Sequence, residues 1–305
     1  MKEQHLNFYA KIVAAATFIL IIAGGLVTST NSGLSVPDWP LSYGQFFPPM
    51  VGGVRFEHTH RMIAGIVGIL TLILAGLFIK FEKRNWVKIM SAAAFLTVVL
   101  QAVLGGLTVI YLLPDALSVF HACLGQTFFC LIICLVFFTS REWHESKAIF
   151  SEEAASIHRL LIITVSFVYV QLIAGAVVRH TGGGGISYHF ILAFLIALHS
   201  FLIILKVSRA DSEIREKLFK NAAALGLLVI IQIFLGFGAF ITTLMLPKSD
   251  APLLMEVFFT STHQANGALV LATSLLLALR AMRFVKMLPA QNTASASNLA
   301  ADRKT

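Results

Sequence analysis

Four histidines stand at matching places in four apolar segments of the chain, namely His60, His121, His189 and His263. Each is followed four residues later by Ala or Gly and twenty residues later by Lys or Arg. At a rise of ~1.5 Å per residue, twenty helical residues span about 30 Å, the thickness of the hydrocarbon core of a bilayer. The spacing therefore predicts four imidazoles at one depth of a membrane, each with its basic residue at the opposite face.

Imidazoles in this arrangement are suited to axial ligation of haem iron. Two helices of a bundle can hold a planar macrocycle between them, with one histidine Nε2 on each side. Zinc or copper would need three or four converging ligands, usually including carboxylate or thiolate, and no cysteine or second acid accompanies these histidines. The small residue one turn after each histidine would let the macrocycle edge approach the backbone. The sequence predicts two haem sites, one in each pair of histidines.

The other histidines and three charged residues complete the candidate set. His199 competes with His189 on the sixth span, but span length and the following Ala193 favour His189. Glu57 lies one turn before His60 on the same helical face, where its carboxylate could reach the rim of a macrocycle or pair with a neighbouring arginine. Arg61 and Arg179 are candidate partners for haem propionates. The remaining histidines, His5, His58, His144, His158 and His180, fall in loops or at helix ends, where a solvated role is expected.

Composition predicts an all-α polytopic membrane protein. Of the 305 residues, 57% are hydrophobic and only 12% are charged, a balance that soluble domains do not show. Eight apolar runs are long enough to cross a bilayer as helices. They fall near residues 11–29, 59–79, 89–111, 118–139, 158–178, 188–206, 222–246 and 257–279.

Charge predicts the orientation. With eight spans and both termini in the cytoplasm, all but four of the 23 Lys and Arg fall on inner segments, the exceptions being Arg55, Arg61, Arg179 and Lys248. We therefore expect a multi-pass protein of the cell membrane with its haem sites towards the outer face. The net charge of +8 follows from this bias and from attraction to anionic lipid, so it does not indicate binding to nucleic acid.

Internal similarity predicts two four-helix units related as a parallel repeat. Ile22-Ala-Gly24 matches Ile173-Ala-Gly175, and Gln101-Ala-Val-Leu-Gly105 matches Gln232-Ile-Phe-Leu-Gly236. Because each unit has an even number of spans, both units would start in the cytoplasm and share a two-fold axis along the membrane normal. The predicted division is residues 1–150 and 151–288, followed by a polar tail, 289–305, that is expected to be disordered.

Three stretches resemble the haem A synthase family of membrane oxidases. They are Gly33-Leu-Ser-Val-Pro-Asp-Trp-Pro-Leu-Ser-Tyr-Gly44, Phe56-Glu-His-Thr-His-Arg61 and Val178-Arg-His-Thr-Gly182. The resemblance covers all eight spans. It implies an oxidoreductase that converts the C8 methyl group of haem O to the formyl group of haem A by successive hydroxylation, for assembly of cytochrome oxidase.

The resemblance also implies site roles. His60 and His121 would hold the substrate haem O in the amino-terminal half, His189 and His263 would ligate a haem b cofactor, and Glu57 would take part in the chemistry. Two features depart from the family pattern. Many members carry a cysteine pair in the first outer loop where this chain has Ser35 and Ser42, and the second outer loop is reduced to a glycine-rich stretch, Gly182 to Gly185.

Two other functions are weighed against the synthase. A di-haem cytochrome b for quinol-linked electron transfer would place haems near both membrane faces, whereas these histidines share one depth. A haem or metal carrier would need an exit path that the sequence does not show. The electron acceptor, the source of the inserted oxygen and the oligomeric state are left open, with a homo-oligomer and hand-over from a haem O-producing farnesyltransferase among the expected partners.

Overall fold

A computed structural model describes residues 3–247 and 252–288 of the chain. The predicted disorder of the tail 289–305, and the outer base Lys248, lie outside the described residues. The structure is an all-α membrane protein, as predicted. Its helices are α1 Glu3–Ser29, α2 Val54–Phe81, α3 Asn85–Ile110, α4 Asp115–Phe138, α5 Arg141–Glu145, α6 Ala154–His180, α7 Ile186–Arg209, α8 Ser212–Phe240 and α9 Leu254–Phe284.

Eight of these helices are long and apolar enough to cross a membrane; α5, with five residues, is not. Large apolar side chains remain exposed along them, for example Ile66 and Ile69 on α2 and Phe234 on α8. A soluble protein would bury such side chains, whereas a bilayer solvates them. The eight predicted spans are therefore confirmed by length and composition.

The long helices form two sets that each close on themselves. Each of α1 to α4 packs on the next and α4 returns to α1, while α6 to α9 are arranged in the same way. Each set has its own apolar core, centred for example on Leu74 and Phe78 in the first and on Leu218 and Leu225 in the second. A small third cluster lies where α1, α4 and α9 meet. Relation of the two sets by a two-fold axis, and their division at residue 150, stay predictions.

The segment between the two sets is ordered. Ser140 accepts a hydrogen bond from the backbone N–H of Trp143 and so caps α5, which precedes strand β1, Ile149–Phe150. This strand pairs in parallel with β2, Val285–Lys286, directly after α9. The ladder ties the connecting segment to the end of the last helix.

Short turns at the other end of the bundle bring the histidines together. They connect α3 to α4 and α6 to α7, while the long loop 30–53 connects α1 to α2. The chain reverses between α3 and α4 through Leu112 and Leu113, which both have positive φ. The end of α8 widens into one π-helical turn, Ile241–Met245. We call this end of the bundle, with loop 30–53 and the four histidines, the histidine end.

Candidate haem-binding site

Each of the four histidines packs against a glycine of the preceding long helix. An alanine Cβ at that glycine would stand about 3 Å from the imidazole Cε1, closer than the van der Waals contact of two carbons. The pairs are Gly24 and His60 (3.1 Å), Gly105 and His121 (3.0 Å), Gly175 and His189 (3.1 Å), and Gly236 and His263 (2.9 Å). The missing side chains therefore allow the imidazoles to lie directly on the neighbouring backbone.

The imidazoles also share an unsatisfied nitrogen. Nδ1 of all four histidines is buried and makes no hydrogen bond within the part of the chain that the structure describes. A backbone group four residues before each glycine lies beside the ring. These residues are Leu20, Gln101, Gln171 and Gln232 for the four histidines in chain order. Since a ligating histidine usually donates its second ring N–H to such a group, the arrangement fits imidazoles that bind a metal through Nε2.

Glutamine side chains accompany three of the four histidines. Nε2 of Gln101 lies 3.4 Å from Nε2 of His121, and the corresponding distances are 3.3 Å for Gln171 with His189 and 3.3 Å for Gln232 with His263. The fourth position, beside His60, is Leu20. In the sequence, these glycines and two of these glutamines mark the similarity of the two halves. Their repetition at four-residue spacing was the available signal for a role beside the histidines.

The structure brings the predicted pairs together. The ring centroids of His189 and His263 are 6.2 Å apart, and His60 lies close enough to His121 for their charges to interact. At metal–nitrogen distances of ~2 Å, imidazoles on opposite sides of one iron have centroids about 6 Å apart. His199 lies elsewhere, with Nδ1 3.2 Å from the Thr164 hydroxyl. The geometry therefore favours His189 over His199 as the ligand on α7.

The donor set suits a haem better than a bare cation. Within residues 3–247 and 252–288, no three His, Cys, Asp or Glu side chains gather as a metal site. A haem supplies four of its own nitrogens to the iron and needs only two axial ligands from the protein. Two neighbouring imidazoles, each resting on a glycine, meet that requirement.

Glu57 and Arg61 form a buried ion pair beside His60. Arg61 Nη2 donates to Glu57 Oε1 at 2.6 Å, and the backbone N–H of Val36 donates to Glu57 Oε2 at 2.9 Å. Nη1 of Arg61 donates to the carbonyl oxygens of Asp38 and Leu41, at 2.7 Å each. The pair therefore fastens loop 30–53 to α2. The predicted roles of Glu57 in catalysis and of Arg61 in propionate binding stay predictions.

Loop 30–53 is held by further hydrogen bonds. The hydroxyl of Ser42 lies 2.9 Å from Nδ1 of His58, which is buried rather than solvated. Asp38 accepts from the backbone N–H groups of Gly44 and Tyr43, and these bonds hold the pKa of its carboxyl below its usual value. These contacts order the loop, although serines stand at the two positions where many members of the family carry cysteines.

Trp39 of this loop lies against α3. An alanine Cβ at Gly106 would stand 2.7 Å from the Trp39 indole ring, so the indole rests on bare backbone. Gly106 directly follows Gly105, which contacts His121. Trp39 therefore covers the helix segment beside the amino-terminal histidine pair.

Arg179 occupies the matching end of α6. Its Nη2 donates to the Ser29 hydroxyl at 2.8 Å, and Ser29 also accepts from Thr260 at 2.8 Å. Glu256 on α9 lies near enough to interact with its charge. These contacts join α1, α6 and α9 at the histidine end, and the predicted propionate contact of Arg179 stays a prediction.

Comparison with known proteins identifies the family. The sequence model of a family described as "Cytochrome oxidase assembly protein" matches residues 7–52 and 54–190. Two relatives are each named haem A synthase. One, from Exiguobacterium sp., is 31% identical over 59% of this chain and 60% of its own length; the other, from Bacillus pumilus, is 34% identical over 58% and 59%.

The match has a clear boundary. The aligned region spans about 60% of the length of these relatives, and the family match ends one residue after His189. His263 and Gln232 lie outside the family match, so their assignment to the site depends on the structure of this chain alone. Because the family match covers more than half of the chain and includes His60, His121 and His189, this protein belongs to the cytochrome oxidase assembly family of the haem A synthases.

Proposed function

We propose that this protein is a haem A synthase, an oxidoreductase that converts the C8 methyl group of haem O to a formyl group. Two successive hydroxylations of the methyl group give a gem-diol, which loses water to leave the aldehyde. The observation that carries the proposal is the set of four imidazoles on bare glycine backbone at one end of the bundle. Family membership and the names of the relatives support it.

The two histidine pairs take different haems in this proposal. His60 and His121 hold the substrate haem O, and His189 and His263 ligate haem b, for which their 6.2 Å separation is suitable. Haem b supplies one-electron chemistry when it is bound. The protein's contribution is to fix the imidazole orientations through the glycine contacts and to keep the substrate ring in an apolar setting.

Glu57 has two tasks in this proposal. Its carboxylate holds Val36 and Arg61, and so shapes the loop above the substrate pair. Its charge lies one turn from His60, where it stabilises positive character that develops at the porphyrin edge or accepts a proton during oxidation of the methyl group. Arg61 and Arg179 are the proposed propionate partners, and each would have to share its guanidinium with its present backbone or hydroxyl acceptors.

The setting follows from the proposed reaction. We propose a cell-membrane location with both termini in the cytoplasm and the histidine end towards the outer face. Haem O is poorly soluble, so direct transfer from the farnesyltransferase that makes it is expected. If water supplies the inserted oxygen, each hydroxylation releases two electrons and two protons, so the proposed reaction includes an electron acceptor as a partner.

Haem analysis tests the proposal. The full chain is purified from a host that makes haem O but no haem A, and the extracted haems are identified by mass. Haem A or its hydroxylated precursor alongside haem b is the expected result. Two equivalents of haem b per chain and no oxidised haem would instead indicate a di-haem electron-transfer cytochrome.

Three variants assign the roles. His263→Ala should lose the stable haem b, because one axial ligand is removed. Glu57→Gln can still accept from Val36 but lacks the charge, so it should keep haem b and lose conversion of haem O by about 100-fold or more. Glu57→Ala additionally breaks the loop contact. Full haem A production by Glu57→Gln would refute the charge role.

A further inference from the structure

The glutamines beside the histidines make two kinds of contact. Gln101 and Gln232 each donate from Nε2 to the backbone carbonyl oxygen of a histidine, His121 at 2.8 Å and His263 at 3.0 Å. The Gln171 amide makes no such bond to its histidine in the described part of the chain, and its Nε2 lies instead 3.3 Å from the ring Nε2 of His189. The carbonyl bonds remain available when iron occupies the histidine Nε2, whereas the ring contact does not.

The residue one turn after the histidine explains this difference. His121 and His263 are followed by Gly125 and Gly267, where an alanine Cβ would stand 3.1 Å and 3.3 Å from the glutamine Nε2. His60 and His189 are followed at this place by alanine. Glycine therefore leaves the room in which the glutamine amide reaches the histidine backbone. The amide occupies the space that the sequence pattern predicts for the edge of a macrocycle.

The four histidines form a graded series. Gln232 is itself held by Asn266, whose Nδ2 donates to Gln232 Oε1 at 2.7 Å. Oε1 of Gln101 is buried and has no hydrogen-bond partner in the described part of the chain. His263 is thus held most firmly and His121 next, while His60 faces Leu20, a side chain that offers no hydrogen bond. Each pair thus combines one histidine whose carbonyl oxygen accepts a hydrogen bond from a glutamine side chain with one for which the structure describes no such bond.

We propose that Gln101 and Gln232 are positioning residues that fix His121 and His263 as the stationary axial ligands, and that His60 is the displaceable ligand on the side where the substrate haem enters and leaves. This inference rests on the proposed function, because it concerns haem held by these pairs. A bond across two membrane helices limits movement of the ligand that it holds. The additional bond from Asn266 suits a cofactor that stays bound, and the apolar Leu20 suits a substrate that must be exchanged.

Haem release measures these differences directly. Purified full-length protein loaded with haem b at both pairs is mixed with excess apomyoglobin, and transfer is followed by absorbance. We expect two phases, of which the slower is absent in His263→Ala. Gln232→Leu should accelerate the slow phase and Gln101→Leu the fast phase, each about 3- to 20-fold. The double variant Leu20→Gln/Ala64→Gly, which supplies both the amide and the room beside it, should slow the fast phase.

A second probe reports which ligand moves. Carbon monoxide binds reduced haem only where an axial histidine leaves the iron, so it should bind the fast-phase haem and spare the slow-phase haem. Leu20→Gln/Ala64→Gly should reduce this binding. The matched control is Gln126→Leu, since Gln126 is a buried glutamine of α4 with no described hydrogen bond to a histidine. It should leave both phases within twofold of the wild type.

The outcomes separate the two proposals. Unchanged release from Gln101→Leu and Gln232→Leu, with the low-spin bis-histidine spectrum retained, would overturn the positioning role and leave the synthase proposal intact. If these variants do not fold, the double variant Leu20→Gln/Ala64→Gly decides, because it adds a bond to the His60 backbone instead of removing one, and an unchanged fast phase then overturns the inference. Failure of the wild type to take up haem at either pair would overturn both proposals.

Discussion

At the residue scale, the site depends on side chains that are absent. Four glycines set the distance between a histidine and the neighbouring helix, and the shortest of these contacts is that of Gly236 with His263. The Cε1 edge of each imidazole lies on the glycine, so the ring cannot rotate further towards the backbone. Glycine thus does for the orientation of these rings what a packed side chain would do elsewhere.

Gly236→Ala tests this role. The new Cβ would stand 2.9 Å from His263 Cε1, so the ring must shift at a cost of about 1–3 kcal/mol. We expect at least a tenfold fall in haem b affinity at the carboxy-terminal pair, measured as haem b per purified chain and as loss of the low-spin bis-histidine absorption.

The control for this variant is Gly76→Ala on α2. Nothing lies within 4 Å of the Cβ position at Gly76, and alanine favours helix, so this variant should bind as much haem as the wild type. Equal haem content in Gly236→Ala and Gly76→Ala would show that the glycine contact does not position His263.

At the element scale, the turn between α2 and α3 is fixed by one acid. Glu82 ends α2, accepts hydrogen bonds from the backbone N–H groups of Lys83 and Arg84, and pairs with the Arg84 guanidinium. Arg84 also donates to the carbonyl oxygen of Phe138 at the end of α4. Mainly because of the hydrogen bonds from the Arg84 side chain, the pKa of Glu82 falls from 4.5 to about 2.

This shift predicts a pH dependence. A carboxyl whose pKa is lower in the folded state stabilises the fold above its unfolded pKa, and the gain is lost as the pH falls from about 4.5 towards 2. Glu82→Gln should therefore reduce the free energy of unfolding at pH 7 by roughly 1–3 kcal/mol. The difference from the wild type should shrink across that window, as measured by thermal unfolding in a nonionic detergent.

Glu145→Gln provides the comparison. Glu145 pairs with Arg141 on the exposed side of α5, with 62% of its side chain accessible, so removal of its charge should change stability little. A stability difference for Glu82→Gln that stays constant between pH 7 and pH 2 would contradict the assigned cause.

The elements themselves were predictable where the signal was local. Apolar runs of about twenty residues gave all eight spans. Their ends were missed where polar residues continue the helix, as at α1, which begins at Glu3, and at α8, which begins at Ser212. The helix α5 and the two-residue strands carry no periodic pattern, so sequence reading did not find them.

The site was predictable in part for the same reason. The histidines could be identified because each has a small residue four positions later and a basic residue twenty positions later, and such spacing along one helix can be read from the sequence alone. The contacts of Arg61 with loop 30–53 and of Gln101 with the His121 backbone depend on how separate helices pack. The sequence could mark these residues as repeated, but their partners required the fold.

At the scale of the whole molecule, the two four-helix sets are joined at both ends. The Ser29, Arg179 and Thr260 contacts join α1, α6 and α9 at the histidine end. At the opposite end, Arg280 of α9 donates to Glu142 of α5 at 2.6 Å and to Asn221 of α8 at 2.9 Å. This second junction attaches α5, which follows the first set, to α8 and α9 of the second set.

A double-mutant cycle on Arg280 and Glu142 measures the strength of this junction. The pair is largely shielded, with side-chain exposures of 19% and 32%, so its coupling should exceed that of a surface pair and reach about 1 kcal/mol. Arg280→Ala should cost more than Glu142→Ala, because it also removes the bonds to Asn221 and to the Lys217 carbonyl. Unfolding of the single and double variants in mixed micelles gives the coupling free energy. Additive effects would mean that the Arg280–Glu142 pair contributes no coupling free energy to this junction. Non-additive effects, together with unchanged haem content, would show that the junction stabilises the assembly without shaping the histidine end.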